Sequence, residues 1–137
     1  MASARSGKSN TDTTETAASP WDGALAELAT PSGGLNIAVA CTDRHVAAGR
    51  SGRVALRWLG RQQDCRDISF GELADQSGRA AQVLMDMGIG PGDTVAVMLD
   101  RVPELYAAAL GIWKAGGVYC PLFAAFGPGP IKARLEI

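Results

Sequence analysis

The chain has 137 residues, a length suited to one domain and short for a two-domain enzyme. Hydrophobic residues make up 47% of the chain, enough for a packed core, and 13 lysines and arginines against 14 aspartates and glutamates leave a net charge of −1. This balance excludes a general nucleic-acid or membrane-surface binder, because such proteins carry an excess of positive charge. We interpret the one basic stretch as the solvated face of a helix and a hairpin, since its arginines are dispersed: Arg44, Arg50, Arg53, Arg57, Arg61 and Arg66.

The first 19 residues are rich in Ser, Thr and Ala and hold almost nothing to bury, so we predict that they are disordered. They lack the apolar centre of a secretory signal. No apolar run reaches the roughly 18 residues of a membrane span. The sequence therefore predicts a cytoplasmic protein that binds neither nucleic acid nor membranes.

The cysteines form no C-x-x-C pair, so the sequence predicts reduced thiols and neither a disulfide framework nor a metal site. They are Cys41, Cys65 and Cys120. His45 is the single histidine of the chain. We interpret Cys120, in the apolar run "VYCPL", as an ordinary buried thiol, and a nucleophilic pair of Cys120 with His45 is the alternative.

Capping signals mark the first ordered elements. Ser19 followed by proline predicts the start of a helix in "SPWDGALAEL". After the linker "ATPSGGLN", Asn36 is expected to cap one helix that runs through "IAVACTDRHVAAG". Alternating polarity in "RVALRWL" then predicts a half-buried strand, which pairs with a second strand near "CRDISF" as a hairpin.

A capping box of Ser69 and Glu72 predicts the start of the next helix. Its expected apolar stripe is Leu73, Ser77, Ala80, Leu84 and Met87. The glycines of "MGIGPGDTVAVML" suit a phosphate-binding loop, but such a loop follows a strand and opens a helix, and here the order is reversed. We therefore predict that Gly88 caps the helix in a left-handed conformation and that "PGD" turns the chain into a buried strand.

That strand, "TVAVML", is followed by a helix in "PELYAAALGIWKA", for which Asp100 is the predicted cap. The helix is apolar on two sides and is expected to lie between layers. Beyond two glycines, "VYCPL" predicts another buried strand. A strand, helix and strand of this length predict a right-handed crossover in a parallel sheet.

The last segment, "GPGPIKARLEI", has the pattern of a further helix. Only two parallel strands precede it, and a parallel sheet needs cover on both faces. We therefore expect residues 20–137 to be the incomplete leading part of a larger α/β domain.

From Leu35 onward the chain resembles the N-terminal part of AMP-forming acyl-CoA synthetases, and most closely the acetyl-CoA synthetases. The resemblance rests on "LNIA" with "DRH", on "GDTVAVML" and on "PELYAAALGIWKAGGVYCPL". It implies the fold of adenylate-forming enzymes: a parallel sheet with flanking helices and one hairpin. Residues 20–137 would then be the truncated leading part of the large N-terminal AMP-binding domain.

Members of this family use ATP, Mg²⁺ and coenzyme A to convert a carboxylic acid into an acyl-CoA through an acyl-adenylate. The resemblance implies acetate or another short-chain acid as the substrate. The family stabilises phosphoryl transfer with a Ser/Thr/Gly-rich loop that ends in Pro-Lys, and no such loop occurs between Met1 and Ile137. No catalytic residue is therefore assigned, and the isolated chain is expected to be inactive.

One loop is implied to touch a ligand. In acetyl-CoA synthetases the loop after the second parallel strand lies beside the adenine end of coenzyme A, and the matching residues are Phe123, Ala124, Ala125 and Phe126. Loops at the carboxyl ends of parallel strands are common ligand sites. Many members have two glycines where the alanines stand, so the backbone here is less free. The alternative is that both phenylalanines pack against the sheet edge.

Two classes of function stay open on the sequence alone. In the first, the chain is the leading portion of a ligase and works on acid, ATP and coenzyme A with the remainder of its own domain. In the second, it is a non-catalytic module that binds a nucleotide or a protein through an exposed sheet edge. Within the ligases, a medium-chain or aryl acid is the alternative to acetate, because later residues build the acid pocket.

Overall fold

The computed structural model describes residues 19–30 and 33–136. The helices in these ranges are α1 (Pro20–Leu28), α2 (Ile37–Cys41), α3 (Asp43–His45), α4 (Phe70–Asp86), α5 (Pro103–Lys114) and α6 (Pro128–Leu135), with a π-helical turn at Val46–Arg50. The strands are β1 (Val54–Leu59), β2 (Cys65–Ser69), β3 (Thr94–Met98) and β4 (Val118–Leu122). The disorder predicted for residues 1–19 falls outside the described ranges except at Ser19, which is the N-cap of α1. Among the described helices, none has both the length and the apolar character needed to cross a bilayer.

The helix predicted from Asn36 begins as expected but does not continue unbroken. The Asn36 side chain accepts hydrogen bonds from the backbone N–H groups of Ala38 and Val39, which confirms the cap. At Thr42 the backbone leaves the helical region, with φ −127° and ψ −73°, so the prediction of a single helix is wrong. The buried Thr42 hydroxyl donates to the Ala38 carbonyl one turn earlier, and this type of bond bends helices.

The hairpin is confirmed: β1 and β2 pair antiparallel, with Trp58 opposite Arg66. The register shifts between Val54 and Leu56, which marks a β-bulge. Strict alternation along "RVALRWL" would place Val54 on the same inner face as Leu56. Val54 is instead exposed, because the bulge between the two residues interrupts the alternation. Across the strands, Arg57 makes two hydrogen bonds with the Asp67 carboxylate, of 2.6 and 2.7 Å.

Helix α4 begins with the predicted capping box. The Ser69 hydroxyl accepts from the Glu72 backbone N–H at 3.2 Å, and the Glu72 carboxylate accepts from the Ser69 backbone N–H at 2.8 Å. Leu73 and Ser77 of the predicted stripe are buried, but Met87 is 73% exposed. Met87 lies beyond the last helical residue, so the helical period no longer directs its side chain towards the core.

Replacing Ser69 with alanine is expected to destabilise the fold by about 1 kcal/mol, because the N-cap hydrogen bond is lost where α4 enters the core. Ser19→Ala is the matched control, since Ser19 makes the same type of capping box at the start of α1. Helix α1 buries no residue, so that loss should leave global stability unchanged. Urea unfolding of both variants measures the difference, and equal losses would contradict the prediction.

The segment between α4 and β3 is a turn, as predicted, and not a phosphate loop. Gly88 has φ +88° and Gly92 has φ +90°, conformations that glycine adopts readily. The Asp93 carboxylate accepts from the Gly90 backbone N–H at 2.8 Å and closes the turn. The backbone N–H of Gly92 donates to the Gly116 carbonyl, so this turn also contacts the end of α5.

Strands β3 and β4 pair in parallel, with Ala96 opposite Cys120, and α5 connects them as predicted. Two details of the prediction are wrong. Asp100 does not cap α5, because the helix begins only at Pro103 and the residue before it, Val102, is the N-cap. The strand β3 is not fully buried, since alternate residues such as Ala96 are exposed on the face that no described element covers.

The core lies where α2, the hairpin, α4 and α5 meet. Its buried cluster is Ala38, Ile68, Leu73 and Leu110, against which Ala55, Leu56 and Trp113 pack. The Asn36 side-chain amide donates to the Trp113 carbonyl at 2.7 Å and so joins α2 to the end of α5. This packing fixes the hairpin against the parallel unit, and an open cleft is left between them.

Candidate functional site

The loop predicted to touch a ligand forms one wall of that cleft. The cleft has a volume of about 1110 Å³, and Phe123, Ala124, Ala125 and Phe126 all line it. The backbone N–H of Phe126 donates to the Phe123 carbonyl at 2.9 Å, which makes the loop a tight turn directly after β4. The structure therefore brings the four predicted residues together at one surface.

The two phenylalanines of the loop contact each other. Their ring centroids are 5.6 Å apart and nearly perpendicular, an edge-to-face pair. The Phe123 side chain is 64% exposed among the described residues. Phe126 is half-buried. The loop thus presents an aromatic surface to the cleft.

Arg134, on α6, lies against this aromatic pair and was missed by the sequence analysis. Its guanidinium carbon is 4.4 Å from the centre of the Phe126 ring, a cation–π contact. One of its N–H groups also reaches the Pro130 carbonyl at 3.4 Å. The eight-residue spacing between Phe126 and Arg134 carries no recognised motif, so only the turn before α6 brings them together.

The hairpin and the loop between β3 and α5 also line the cleft. Trp58 and Arg61 line it from the hairpin, and Asp100 and Arg101 line it from the loop. The indole N–H of Trp58 donates to the Arg101 carbonyl at 2.6 Å. Tyr119, on β4, is a further lining residue and packs edge-on against Trp113.

The lining of the cleft is mostly apolar, and among its charged residues the basic ones outnumber the acidic ones. Arg61, Arg101 and Arg134 line it, against Asp100 as the acidic lining residue. Guanidinium groups bind phosphates through paired N–H donors, and aromatic faces stack on planar rings. The arrangement is suited to a ligand that combines a planar ring with phosphate groups.

The alternative of a nucleophilic cysteine–histidine pair receives no support. The Nδ1 atom of His45 accepts from the Arg50 side chain at 3.0 Å, and the imidazole stacks on Phe70 at 4.2 Å. Partial burial lowers the pKa of His45, and the charges of neighbouring arginines lower it further. Cys120 is half-buried on β4, and neither Cys120 nor His45 lines the cleft.

Side chains that can ligate a metal are dispersed in the described part of the chain. In residues 19–30 and 33–136, no group of three or more His, Cys, Asp or Glu side chains is arranged to hold a metal ion. These described residues therefore do not form a Mg²⁺ site of their own.

Comparison with known proteins assigns the class. The family model for AMP-binding enzymes matches residues 43–136, so the chain belongs to that family. The match runs from α3 to the end of α6 and includes every residue that lines the cleft. The family resemblance read from the sequence is thereby confirmed.

The chain is similar to acetyl-coenzyme A synthetases. It is 39% identical over 105 residues to that of Mycolicibacterium smegmatis, which covers 76% of this chain and 11% of the relative. It is also 39% identical over 104 residues to the acetyl-coenzyme A synthetase of Streptomyces avermitilis, which covers 76% of this chain and 16% of the relative. The chain thus spans between a tenth and a sixth of the length of these relatives.

Solved structures confirm the fold. The chain resembles a Brucella canis acyl-CoA synthetase with a TM-score of 0.74 and 42% identity, over 85% of this chain and 21% of that one. It also resembles the N-terminal subdomain of Klebsiella oxytoca NpsA, with a TM-score of 0.54 and 33% identity over 65% and 23% of the two chains. The described elements therefore match part of the fold of an adenylate-forming enzyme.

Proposed function

We propose that this chain acts as the N-terminal portion of an AMP-forming acetate–CoA ligase in the cytoplasm. The observation that carries the proposal is the 39% identity to acetyl-coenzyme A synthetases over three quarters of the chain. In the proposed reaction the acid carboxylate attacks the α-phosphate of ATP and releases pyrophosphate. The coenzyme A thiol then attacks the acyl carbon, loses its proton and displaces AMP.

Within this reaction the chain supplies framework and one ligand surface. The adenine of coenzyme A would lie on Phe123 beside Ala124, Ala125 and Phe126, and the cleft arginines would face its phosphates. The position of Phe123 at the cleft, together with the three arginines that line it, supports this role. The phosphate loop, the Mg²⁺ ligands and the catalytic residues would come from the remainder of the domain. On this proposal the 137 residues alone make no acyl-CoA.

A chimeric enzyme tests the proposal. Residues 35–136 replace the matching segment of the Mycolicibacterium smegmatis acetyl-CoA synthetase, and the chimera is expected to form acetyl-CoA and AMP from acetate. The chimera does not test which acid is used, because the acid pocket lies outside this segment. Acetate, octanoate and benzoate are therefore compared as substrates of the native full-length protein. A folded chimera that makes no acetyl-CoA would overturn the proposed role.

Phe123→Ala in the chimera is expected to raise the KM for coenzyme A by about tenfold, because a base stacked on an aromatic ring is worth about 1–3 kcal/mol. Acetate-dependent exchange of pyrophosphate into ATP, which needs no coenzyme A, should be unchanged. Tyr106→Ala is the control, since Tyr106 is an exposed aromatic residue that does not line the cleft. An unchanged KM for coenzyme A in Phe123→Ala would contradict the site.

A further inference from the structure

One hydrogen bond joins two parts of the fold that no strand pairing connects. The described strands form two separate two-stranded sheets, the hairpin of β1 and β2 and the parallel pair of β3 and β4. The Trp58 indole N–H, on β1, donates to the backbone carbonyl of Arg101 at 2.6 Å, in the loop after β3. The two residues are 43 positions apart in sequence.

Both ends of this bond lie at the cleft. Trp58 and Arg101 each line it, and so do their neighbours Leu59 and Val102. The bond therefore ties the hairpin to the loop that carries Arg101, and together these form one part of the lining of the cleft. A change in the distance between the hairpin and this loop would change the shape of that part of the cleft.

The second polar link between the hairpin and this region is weaker. The Arg66 guanidinium lies 3.5 Å from the Glu104 carboxylate, and both side chains are more than half exposed. Exposed ion pairs contribute little, because water screens them and two long side chains must be ordered. Trp58 is half-buried and its side chain has few rotatable bonds, so its hydrogen bond forms with a smaller loss of conformational entropy.

We propose that Trp58 is a positioning residue that holds the hairpin and the β3–α5 loop together and so sets the shape of the cleft for a phosphorylated nucleotide. The ligand class rests on the proposed function, whereas the positioning itself does not. Trp58 acts through Arg101: the indole fixes the backbone, and the backbone presents the guanidinium at the cleft wall.

Amide hydrogen exchange in the full chain tests the positioning without any ligand. Trp58→Phe keeps an aromatic side chain and removes the N–H donor. Exchange at the Val102 amide should then become about fivefold faster, because the net contribution of one hydrogen bond to stability corresponds to about this factor. The Val102 amide is suitable because it donates to the Asp100 carbonyl within this loop. Exchange at Leu110, in the core, should not change.

Trp21→Phe is the matched control, since Trp21 is largely exposed on α1 and does not line the cleft. It should leave exchange at Val102 unaltered. Unchanged exchange at Val102 in Trp58→Phe overturns the proposal. An equal acceleration at Val102 and Leu110 also overturns it, because Trp58 would then stabilise the whole fold and not this contact.

Titration with coenzyme A tests the consequence for binding. Trp58→Phe should bind coenzyme A about fivefold more weakly than the wild-type chain, again the value of one hydrogen bond, and Trp21→Phe should bind as the wild type does. Equal affinities of Trp58→Phe and wild type overturn the role in ligand binding. If the wild-type chain binds no coenzyme A, the proposed ligand fails, and the exchange experiment still decides whether Trp58 positions the loop.

Discussion

Gly111→Leu is expected to destabilise the fold by about 3 kcal/mol, because α4 and α5 approach each other at Gly111 with no room for a side chain. A Cβ atom at this position would lie 2.6 Å from the Ala80 Cβ and 3.1 Å from the Ser77 carbonyl oxygen. Backbone atoms on α4 cannot move aside as the end of a flexible side chain can. The helices must separate, and overpacking of this type costs about 1–3 kcal/mol and sometimes more.

A graded series makes the test specific. Gly111→Ala should destabilise less than Gly111→Leu, since one methyl group needs a smaller separation of the helices. Gly78→Ala on α4 is the control, because a Cβ there meets no atom within 4 Å. That change should be neutral or stabilise by up to about 1 kcal/mol, the helix preference of alanine over glycine. Equal urea midpoints for wild type and Gly111→Leu would contradict the close packing of α4 and α5.

The features predicted correctly from the sequence depend on local chemistry. Ser69 and the glutamate three residues later satisfy backbone N–H groups at the start of α4. Gly88 adopts the left-handed conformation that ends the same helix. Both effects involve only residues close in sequence. The bend at Thr42 was missed for a related reason. Threonine is compatible with a helix by its propensity, and whether its hydroxyl bonds the Ala38 carbonyl depends on burial among other elements.

The candidate site was predicted only in part, because half of it depends on contacts between distant residues. The family resemblance gave the loop from Phe123 to Phe126, whose backbone directly follows β4. Trp58 and Arg134 carry no local signal for their partners: alternation predicts a strand at Trp58 and a helix is predicted around Arg134, but neither pattern specifies a neighbour. The burial of β3 was overestimated because its uncovered face depends on what lies beside the sheet, not on its own residues.

Asp43→Asn is expected to destabilise the fold by about 2 kcal/mol and to have a larger effect than Lys114→Met. The Lys114 ammonium and the Asp43 carboxylate are 2.7 Å apart, and their side chains are 10% and 47% exposed. In Asp43→Asn the nearly buried ammonium can still donate to the amide oxygen and to the Ala74 carbonyl at 3.1 Å, but it loses the negative charge that balances its own. Removing one partner of a fully buried pair costs about 3–5 kcal/mol, and the exposure of Asp43 reduces that value.

The opposite change leaves a charge that water can reach. In Lys114→Met the Asp43 carboxylate stays half-exposed and keeps the Thr42 hydroxyl at 2.7 Å, whose one proton it shares with the Ala38 carbonyl. Methionine also fills most of the volume of the lysine stem among apolar neighbours. The double variant Asp43→Asn with Lys114→Met should therefore be more stable than Asp43→Asn alone, since no unpaired buried charge remains.

The pH dependence of unfolding gives an independent check on this pair. Burial raises the pKa of Asp43, but hydrogen bonds from Lys114 and Thr42 and the Lys114 charge outweigh it, so the pKa lies below its usual value. A carboxyl with a depressed folded-state pKa stabilises the fold above its unfolded pKa of about 3.9, and that stabilisation is lost as the pH falls through the folded value. The difference in urea midpoint between wild type and Asp43→Asn should thus be constant from about pH 6 to 8 and shrink below about pH 4. If the difference in urea midpoint were as large below about pH 4 as between about pH 6 and 8, the asparagine would disturb packing, and the charge of Asp43 would not stabilise the fold.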